Sequence, residues 1–105
     1  MDSMILKGHL DIIVTENRDS LDGELMEWQE ILIHGDPEGL RSFAKLLLDL
    51  ADRDQDKNNT LPKGAREHVH LRPNLDLSKS SIDVIVGRLD AKGTRDFYEI
   101  YKPKD

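Results

Sequence analysis

Two histidines separated by one residue form the pattern in this chain that is best suited to chemistry. His68 and His70 lie in residues 67–72, where alternating apolar and polar side chains predict a short β-strand. Side chains two positions apart on a strand point the same way, so both imidazoles are expected on one sheet face. With a third ligand from His9 or His34, the pair would bind zinc and support a metal-dependent reaction. The alternative interpretation is that both are ordinary exposed residues on the open face of a half-buried sheet.

Other reactive groups lack the arrangement that catalysis or cofactor binding requires. The serines at 78, 80 and 81 form neither a nucleophile elbow nor a Ser-x-x-Lys pattern. The acidic residues at 52, 54 and 56 alternate as in a calcium loop, but Lys63 stands where the closing glutamate belongs. The glycine motifs that cradle phosphate groups are also absent. We therefore predict a protein that is not an enzyme and that needs no metal or cofactor.

Negative charge is concentrated in the first third of the chain. Residues 1–34 carry 8 acidic and 2 basic side chains, whereas residues 35–66 carry 6 of each and residues 67–105 carry 7 of each. This distribution disfavours nucleic acid and anionic membranes and suits a protein partner with a basic surface. The alternative is a solvated turn that keeps the protein soluble. The predicted partner-binding residues are Glu16, Asp19, Asp22, Glu24, Glu27, Trp28 and Glu30, with the tryptophan as a possible anchor or else a core residue.

Length and composition predict one domain that spans residues 1–105. The chain has no cysteine, which excludes disulfides, thiolate metal sites and a thiol nucleophile. Residues 1–7 lack the basic and long apolar segments of a signal peptide, and no apolar run is long enough to span a membrane. A cytoplasmic protein is therefore expected.

The hydrophobic pattern predicts an α+β fold with the element order β-β-α-β-β-β. The predicted strands cover residues 5–14, 25–33, 67–72, 82–89 and 96–101, and short polar turns between them favour antiparallel pairing. We therefore expect a mainly antiparallel sheet of four or five strands with one amphipathic helix packed on one face. In the second strand, Met26, Trp28 and Leu32 share a face. If the helix packs on the opposite face, a partner, a second subunit in a homodimer or the polar connection 52–67 would cover this one.

Residues 35–51 predict the helix itself. Asp36 is suited to cap its N-terminus by accepting a backbone N–H from Glu38 or Gly39, and Pro37 suits the first turn. Apolar residues recur at helical spacing along one stripe, which is expected to face the sheet. This predicted stripe consists of Leu40, Phe43, Ala44, Leu47, Leu48 and Ala51.

Several segments resemble the immunity protein 32 family of bacterial polymorphic toxin systems. The resemblance lies in Ile31–Arg41, Leu46–Ala51, His68–Leu71 and Leu77–Ser81, and it covers about residues 31–86. It implies a protein that binds and neutralises a cognate toxin by direct occlusion, without catalytic residues. It does not extend to residues 16–30, whose assignment depends on charge. Two alternatives stay open, which are a homo-oligomeric structural module and a metal-dependent enzyme that uses His68 and His70.

Overall fold

The computed structural model describes residues 6–104, which form one α-helix, one short 3-10 helix and four β-strands. In chain order the elements are β1 (Leu10–Leu21), β2 (Glu24–Gly35), α1 (Pro37–Asp52), the 3-10 helix Gln55–Lys57, β3 (His68–Leu71) and β4 (Val84–Gly87). β1 pairs with β2 and β3 pairs with β4, both in antiparallel orientation. The α+β class and the first five predicted elements are therefore confirmed, although their boundaries differ from the predicted ones.

The described residues form two separate two-stranded sheets instead of the predicted sheet of four or five strands. Near the start of β1, the edge that faces away from β2 is occupied by residues 78–82. The N–H of Ser78 donates to the carbonyl of Leu10 at 2.8 Å, and the N–H of Ile82 donates to the carbonyl of Ile12 at 2.9 Å. Because the side chain of Ser81 takes part in place of its backbone, this segment does not extend the ladder, and β4 cannot join β1 there.

The last predicted strand, residues 96–101, is also corrected, because this segment forms turns and irregular structure. Arg95 adopts a positive φ of 64°, and its N–H donates to the carbonyl of Ala91 at 2.8 Å. This tight turn directs the chain away from any strand edge. Arg66 then holds the segment from the side, since its guanidinium donates to the carbonyl of Asp96 at 2.7 Å and stacks 4.0 Å from the centre of the Tyr98 ring.

The first two strands form a long hairpin around a two-residue turn. Asp22 and Gly23 both have positive φ, at 53° and 82°, as a type I′ turn requires. The register pairs Leu21 with Glu24 at the tip and Leu10 with Gly35 at the base, without a bulge. Residues 17–21 of β1 were predicted as part of a polar turn, but cross-strand pairing keeps them in the ladder. Ile5, where the first predicted strand starts, lies outside the described residues.

Helix α1 begins as predicted, and its cap also fixes its position on the hairpin. The carboxylate of Asp36 accepts the N–H of Gly39 at 2.7 Å and the N–H of His9 at 3.0 Å. Gly39 is buried against the chain before β1, where an added Cβ would overlap the carbonyl oxygen of His9. Only glycine therefore allows this close approach of helix and hairpin.

The side of the helix that faces the core differs from the predicted stripe. Leu46 and Leu50 are buried, with exposed fractions of 0% and 4%, whereas Leu47 and Leu48 are 40% and 66% exposed. The contact at Gly39 sets the rotation of the helix, and Leu46, about two turns later, follows on the same side. Phe43 packs partly against this core. The buried cluster consists of Leu6, Leu10, Ile12, Leu46, Leu71 and Leu77.

The polar connection 52–67 is held to the rest of the fold by buried and charged side chains. Gln55 is 4% exposed and donates to the carbonyl of Asp90 at 2.7 Å, while its side-chain oxygen accepts the N–H of Glu67 at 3.0 Å. Arg88 donates to the carbonyls of Leu50 and Arg53 at 3.1 and 2.9 Å, which satisfies the last turn of α1. The connection is therefore a structural part of the fold, and it does not cover the hairpin.

Among residues 6–104 no helix has the length and apolar character needed to cross a membrane.

Candidate partner-binding surface

The distal half of the hairpin projects from the folded body as an arm, which we define as residues 16–30. Twelve-residue strands at about 3.4 Å per residue reach roughly 40 Å. The radius of gyration is 17.1 Å, against about 13 Å for a compact chain of this length, and the longest dimension is 56 Å. Nearly every side chain of the arm is exposed. The seven predicted partner-binding residues therefore all lie on a projecting and accessible element.

Strand pairing distributes these seven residues over two opposite faces of the arm. Glu16 and Glu27 lie on the core-side face, which is continuous with the buried Leu10 and Ile12. Four of the other five lie on the outer face, and the fifth, Asp22, lies in the turn. The four on the outer face are Asp19, Glu24, Trp28 and Glu30. The structure thus brings the predicted residues together on one element, but a partner that lies flat on one face reaches only some of them.

Several of the acidic side chains have neighbours across the hairpin. On the core-side face, Glu16 accepts a hydrogen bond from Gln29 at 2.6 Å, and Glu27 forms an exposed ion pair with Arg18 at 3.7 Å. On the outer face, Asn17 donates to Glu30. Exposed pairs of this kind contribute little to stability, so they mainly orient the carboxylates along the strands. The arm keeps a net negative charge, because Arg18 is its one basic residue.

Trp28 lies among these carboxylates and is partly accessible. Its exposed fraction is 41%, and the outer face of the arm also carries Met26 at 51% and, nearer the tip, Leu21 at 63%. The sequence left two interpretations of Trp28, as a binding anchor or as a core residue. The second is wrong, because the buried cluster lies at the base of the hairpin. An exposed indole beside acidic groups is suited to pack against an aliphatic or cationic side chain.

A second accessible surface, which sequence reasoning missed, is apolar. Val14, Ile31 and Ile33 lie on the core-side face, with Ile33 beside the buried Ile12 and the other two further toward the tip, and their exposed fractions are 42%, 64% and 48%. Leu40 of α1 reaches the same face, because its Cγ would be 3.1 Å from a Cβ placed on Gly35. Part of the signal was present in the sequence, since apolar residues surround more of the helix, Leu40 included, than a single packing face can bury.

His68 and His70 share the outward face of the small β3–β4 sheet, as their spacing predicts. Their ring centres are 5.1 Å apart, and the Nδ1 of His68 lies 2.9 Å from the carbonyl of Arg66. They line a shallow cavity of about 380 Å³ together with Ile85 and Tyr98. In the described part of the chain no three His, Cys, Asp or Glu side chains converge on a metal site. Neither His9 nor His34 thus supplies the third ligand that the zinc hypothesis needs.

The carboxylates with shifted pKa values lie at structural joints outside the arm. Backbone N–H groups of His9 and Gly39 lower the pKa of Asp36 below its ordinary value. A two-pronged hydrogen bond from Arg88, at 2.8 and 2.7 Å, lowers the pKa of Asp90 and raises that of the Arg88 guanidinium. Asp36 stabilises the start of α1, and the Arg88–Asp90 pair stabilises the chain after β4. These charged groups therefore have structural roles.

Comparison with known proteins gives one match. The model of a protein family described as Immunity protein 32 matches residues 30–89, which is more than half of the chain. The resemblance inferred from the sequence is thereby confirmed. Neither a search of curated proteins nor one of solved structures finds a significant match. The matched region contains α1, β3 and β4 and the basal part of β2, whereas nearly all of the arm precedes it.

Proposed function

Because this chain belongs to the immunity protein 32 family, we propose that it binds a cognate toxin and neutralises it by direct occlusion. The observation that supports this proposal best is the acidic arm, whose exposed carboxylates project beyond the core that stabilises the fold. A surface with this charge suits a toxin with a basic functional surface. Inhibition then needs no reaction by this chain, since a tightly bound protein excludes the substrate of the toxin.

The charge of the arm serves recognition in two steps. At a distance, its net negative charge attracts a basic surface and raises the association rate, an effect that salt weakens. At contact, Trp28 supplies an apolar and aromatic group that can be buried in the centre of the interface, with the surrounding carboxylates at its rim. The proposed partner-binding residues are Glu16, Asp19, Asp22, Glu24, Glu27, Trp28 and Glu30.

A homodimer is the second candidate, and the exposed apolar surface beside α1 favours it. Val14, Ile31, Ile33 and Leu40 are each more than 40% exposed and share one side of the molecule. A two-fold dimer would bury the same patch from both copies. Sedimentation or light scattering over a wide range of concentrations tests this candidate. A constant monomer mass contradicts it.

Co-expression with the toxin encoded by the neighbouring gene tests the principal proposal. We expect this chain to restore growth of cells that express the toxin and to co-purify with it. A shortened variant provides the matched control. It lacks residues 16–21 and 24–29, so that Thr15 and Glu30, which are paired in the ladder, flank the original Asp22-Gly23 turn.

The shortened variant keeps strand register and facing, because six residues are removed from each strand. It should fold but fail to restore growth. Full rescue by this variant would show that the arm is not the docking element, and absence of rescue by the full chain would contradict the proposed function itself.

A further inference from the structure

We infer that the toxin supplies an extended segment that pairs with the free edge of β2 and continues the hairpin as a third strand. The inference depends on the proposed function and specifies how the arm is used. In this binding mode, backbone hydrogen bonds along the edge provide affinity, and side chains on the two faces provide specificity.

The position of the turn determines which backbone groups of β2 point away from β1. A two-residue turn is closed by a hydrogen-bonded pair, here Leu21 and Glu24, and such pairs then alternate along the ladder. The outward N–H and C=O groups of β2 therefore belong to Leu25, Glu27, Gln29, Ile31 and Ile33. The base of β1 confirms this alternation independently, because Leu10 and Ile12, the outward residues by the same rule, bond to residues 78–82.

The two edges of the hairpin differ in their accessibility. Residues 78–82 close the base of β1, whereas no hydrogen bond from any residue between 6 and 104 reaches the outward backbone groups of Leu25–Ile33. Native proteins usually protect an edge of this length with proline, a bulge or charged side chains. β2 has no proline, and its pairing with β1 has no bulge, so its protection consists of three glutamates. These charges oppose an acidic strand, but they leave the edge competent to pair with a basic one.

Docking at the edge also explains how both faces of the arm contribute. A strand added to β2 places its side chains alternately next to the outer face and next to the core-side face. On the outer face they meet Glu24, Met26, Trp28, Glu30 and Leu32. On the core-side face they meet Leu25, Glu27, Gln29, Ile31 and Ile33. Each face combines carboxylates with apolar groups, so a complementary segment carries both lysine or arginine and apolar residues over about five to nine positions.

Charge favours this partner over a second copy of the chain. β2 contains three glutamates and no lysine or arginine. Pairing of two β2 strands would bring six carboxylates to one short ladder without a cation from either strand, whereas a basic segment neutralises them. The edge is therefore specific for a different chain.

Matched proline variants test the inference in the complex with the neighbouring-gene toxin. Glu27 and Arg18 are direct cross-strand partners, and both have outward N–H groups, on β2 and β1 respectively. Glu27→Pro and Arg18→Pro each break the same exposed ion pair, but only the first removes an N–H from the β2 edge. Glu27→Ala removes the charge and keeps the N–H. We expect Glu27→Pro to weaken affinity about tenfold or more relative to Glu27→Ala, and Arg18→Pro to stay within about threefold of the unmodified chain.

Equal affinities of Glu27→Pro and Glu27→Ala would overturn the inference. Amide hydrogen exchange provides a second readout that does not depend on how well a variant folds. In the free chain the outward amides of residues 25, 27, 29, 31 and 33 should exchange rapidly, and in the complex they should become protected. Protection already present in the free chain at concentrations where it dimerises would assign the edge to a second copy and overturn the inference.

Failure of this inference and failure of the proposed function give different experimental results. A complex that restores growth but leaves these amides unprotected contradicts strand addition and leaves the proposed function intact. If no complex forms, the proposed function and this inference both fail.

Discussion

The hydroxyl of Ser81 accepts the backbone N–H of Ile12 at 3.1 Å and donates to the carbonyl oxygen of the same residue at 3.0 Å. Both groups point outward from β1, where a further strand would otherwise pair. At Ile12 the buried Ser81 side chain thus takes the place of a pairing backbone and ends the regular ladder at this edge. Together with the backbone hydrogen bonds from Ser78 to Leu10 and from Ile82 to Ile12, this contact joins the segment before β4 to the base of the hairpin.

Replacement of Ser81 by alanine is expected to lower the free energy of unfolding by about 1–3 kcal/mol, since it leaves the buried N–H of Ile12 without a partner. Ser80→Ala is the control, because the Ser80 hydroxyl donates to the exposed carboxylate of Asp11 at 2.7 Å. The control should change stability by about 0.5 kcal/mol or less. Urea titrations of both variants measure the difference, and similar midpoints would argue against a structural role for the Ser81 contact.

Leucines on different sides of α1 should differ strongly in their contribution to stability. Leu46→Ala creates a cavity in the core and should cost about 2–5 kcal/mol, whereas Leu48→Ala removes a side chain that is 66% exposed and should cost about 0.5 kcal/mol or less. Both substitutions keep a strong helix former, so propensity does not confound the comparison. If thermal or urea unfolding shows a larger loss of stability for Leu48→Ala than for Leu46→Ala, the helix faces the core with the stripe first predicted from the sequence.

The charge of Asp36 should make the stability of the chain depend on acidity. Its pKa is lowered in the folded state by the N–H groups of His9 and Gly39, so its contribution is fully present above the ordinary value of 3.8. That contribution is lost as the pH falls through the lower folded-state pKa. Asp36→Asn keeps an oxygen acceptor without the charge. Its melting temperature should lie below that of the unmodified chain at pH 7, and the difference should shrink below about pH 4. A pH-independent difference would contradict this explanation.

Reversal of charge on the arm should slow association with the toxin. The triple substitution of Glu24, Glu27 and Glu30 by lysine is expected to lower the association rate about tenfold or more at low salt and to weaken its salt dependence. The matched control replaces Asp52, Asp83 and Glu99, which are exposed and lie outside the arm, so that net charge changes equally. Stopped-flow or surface-binding kinetics measure both triples. Equal association rates for the two triple variants would show that the net charge of the chain matters and that the location of the charges on the arm does not.

Trp28 should contribute to binding far more than to folding. Trp28→Ala is expected to weaken the complex by about 2 kcal/mol or more, while Trp28→Phe retains most of the affinity because an aromatic group remains. Ile85→Ala, at a residue 64% exposed on the other sheet, is the control. Since Trp28 is the one tryptophan of the chain, its fluorescence should also shift to shorter wavelength on binding a toxin without tryptophan at the interface. Unchanged emission would place the interface elsewhere.

Local signals in the sequence predicted the local structure well. The polar turn between the first two predicted strands indicated the hairpin, Asp36 and Pro37 indicated the start of the helix, and the spacing of His68 and His70 placed both rings on one face. These features depend on residues that are neighbours in the chain, so periodicity and capping rules apply directly.

Features that depend on distant contacts were not predicted. The helix carries apolar residues on more than one side, and its rotation is set by Gly39 against His9, a contact between separate segments. The sheet is interrupted by a side-chain hydrogen bond from Ser81, which has no periodic signature. The acidic residues of the arm were identified by charge, but their division between two faces depends on strand register.

The arm can change without cost to the interior, because its side chains take no part in the buried cluster. Its length is adjustable in steps of two residues per strand, which keep each side chain on its original face, whereas a step of one exchanges the faces. The same body can therefore carry arms of different reach and different sequence. Variants that carry different arms on the same body can therefore be selected for binding to toxins other than its own. All of these variants would keep the same buried cluster.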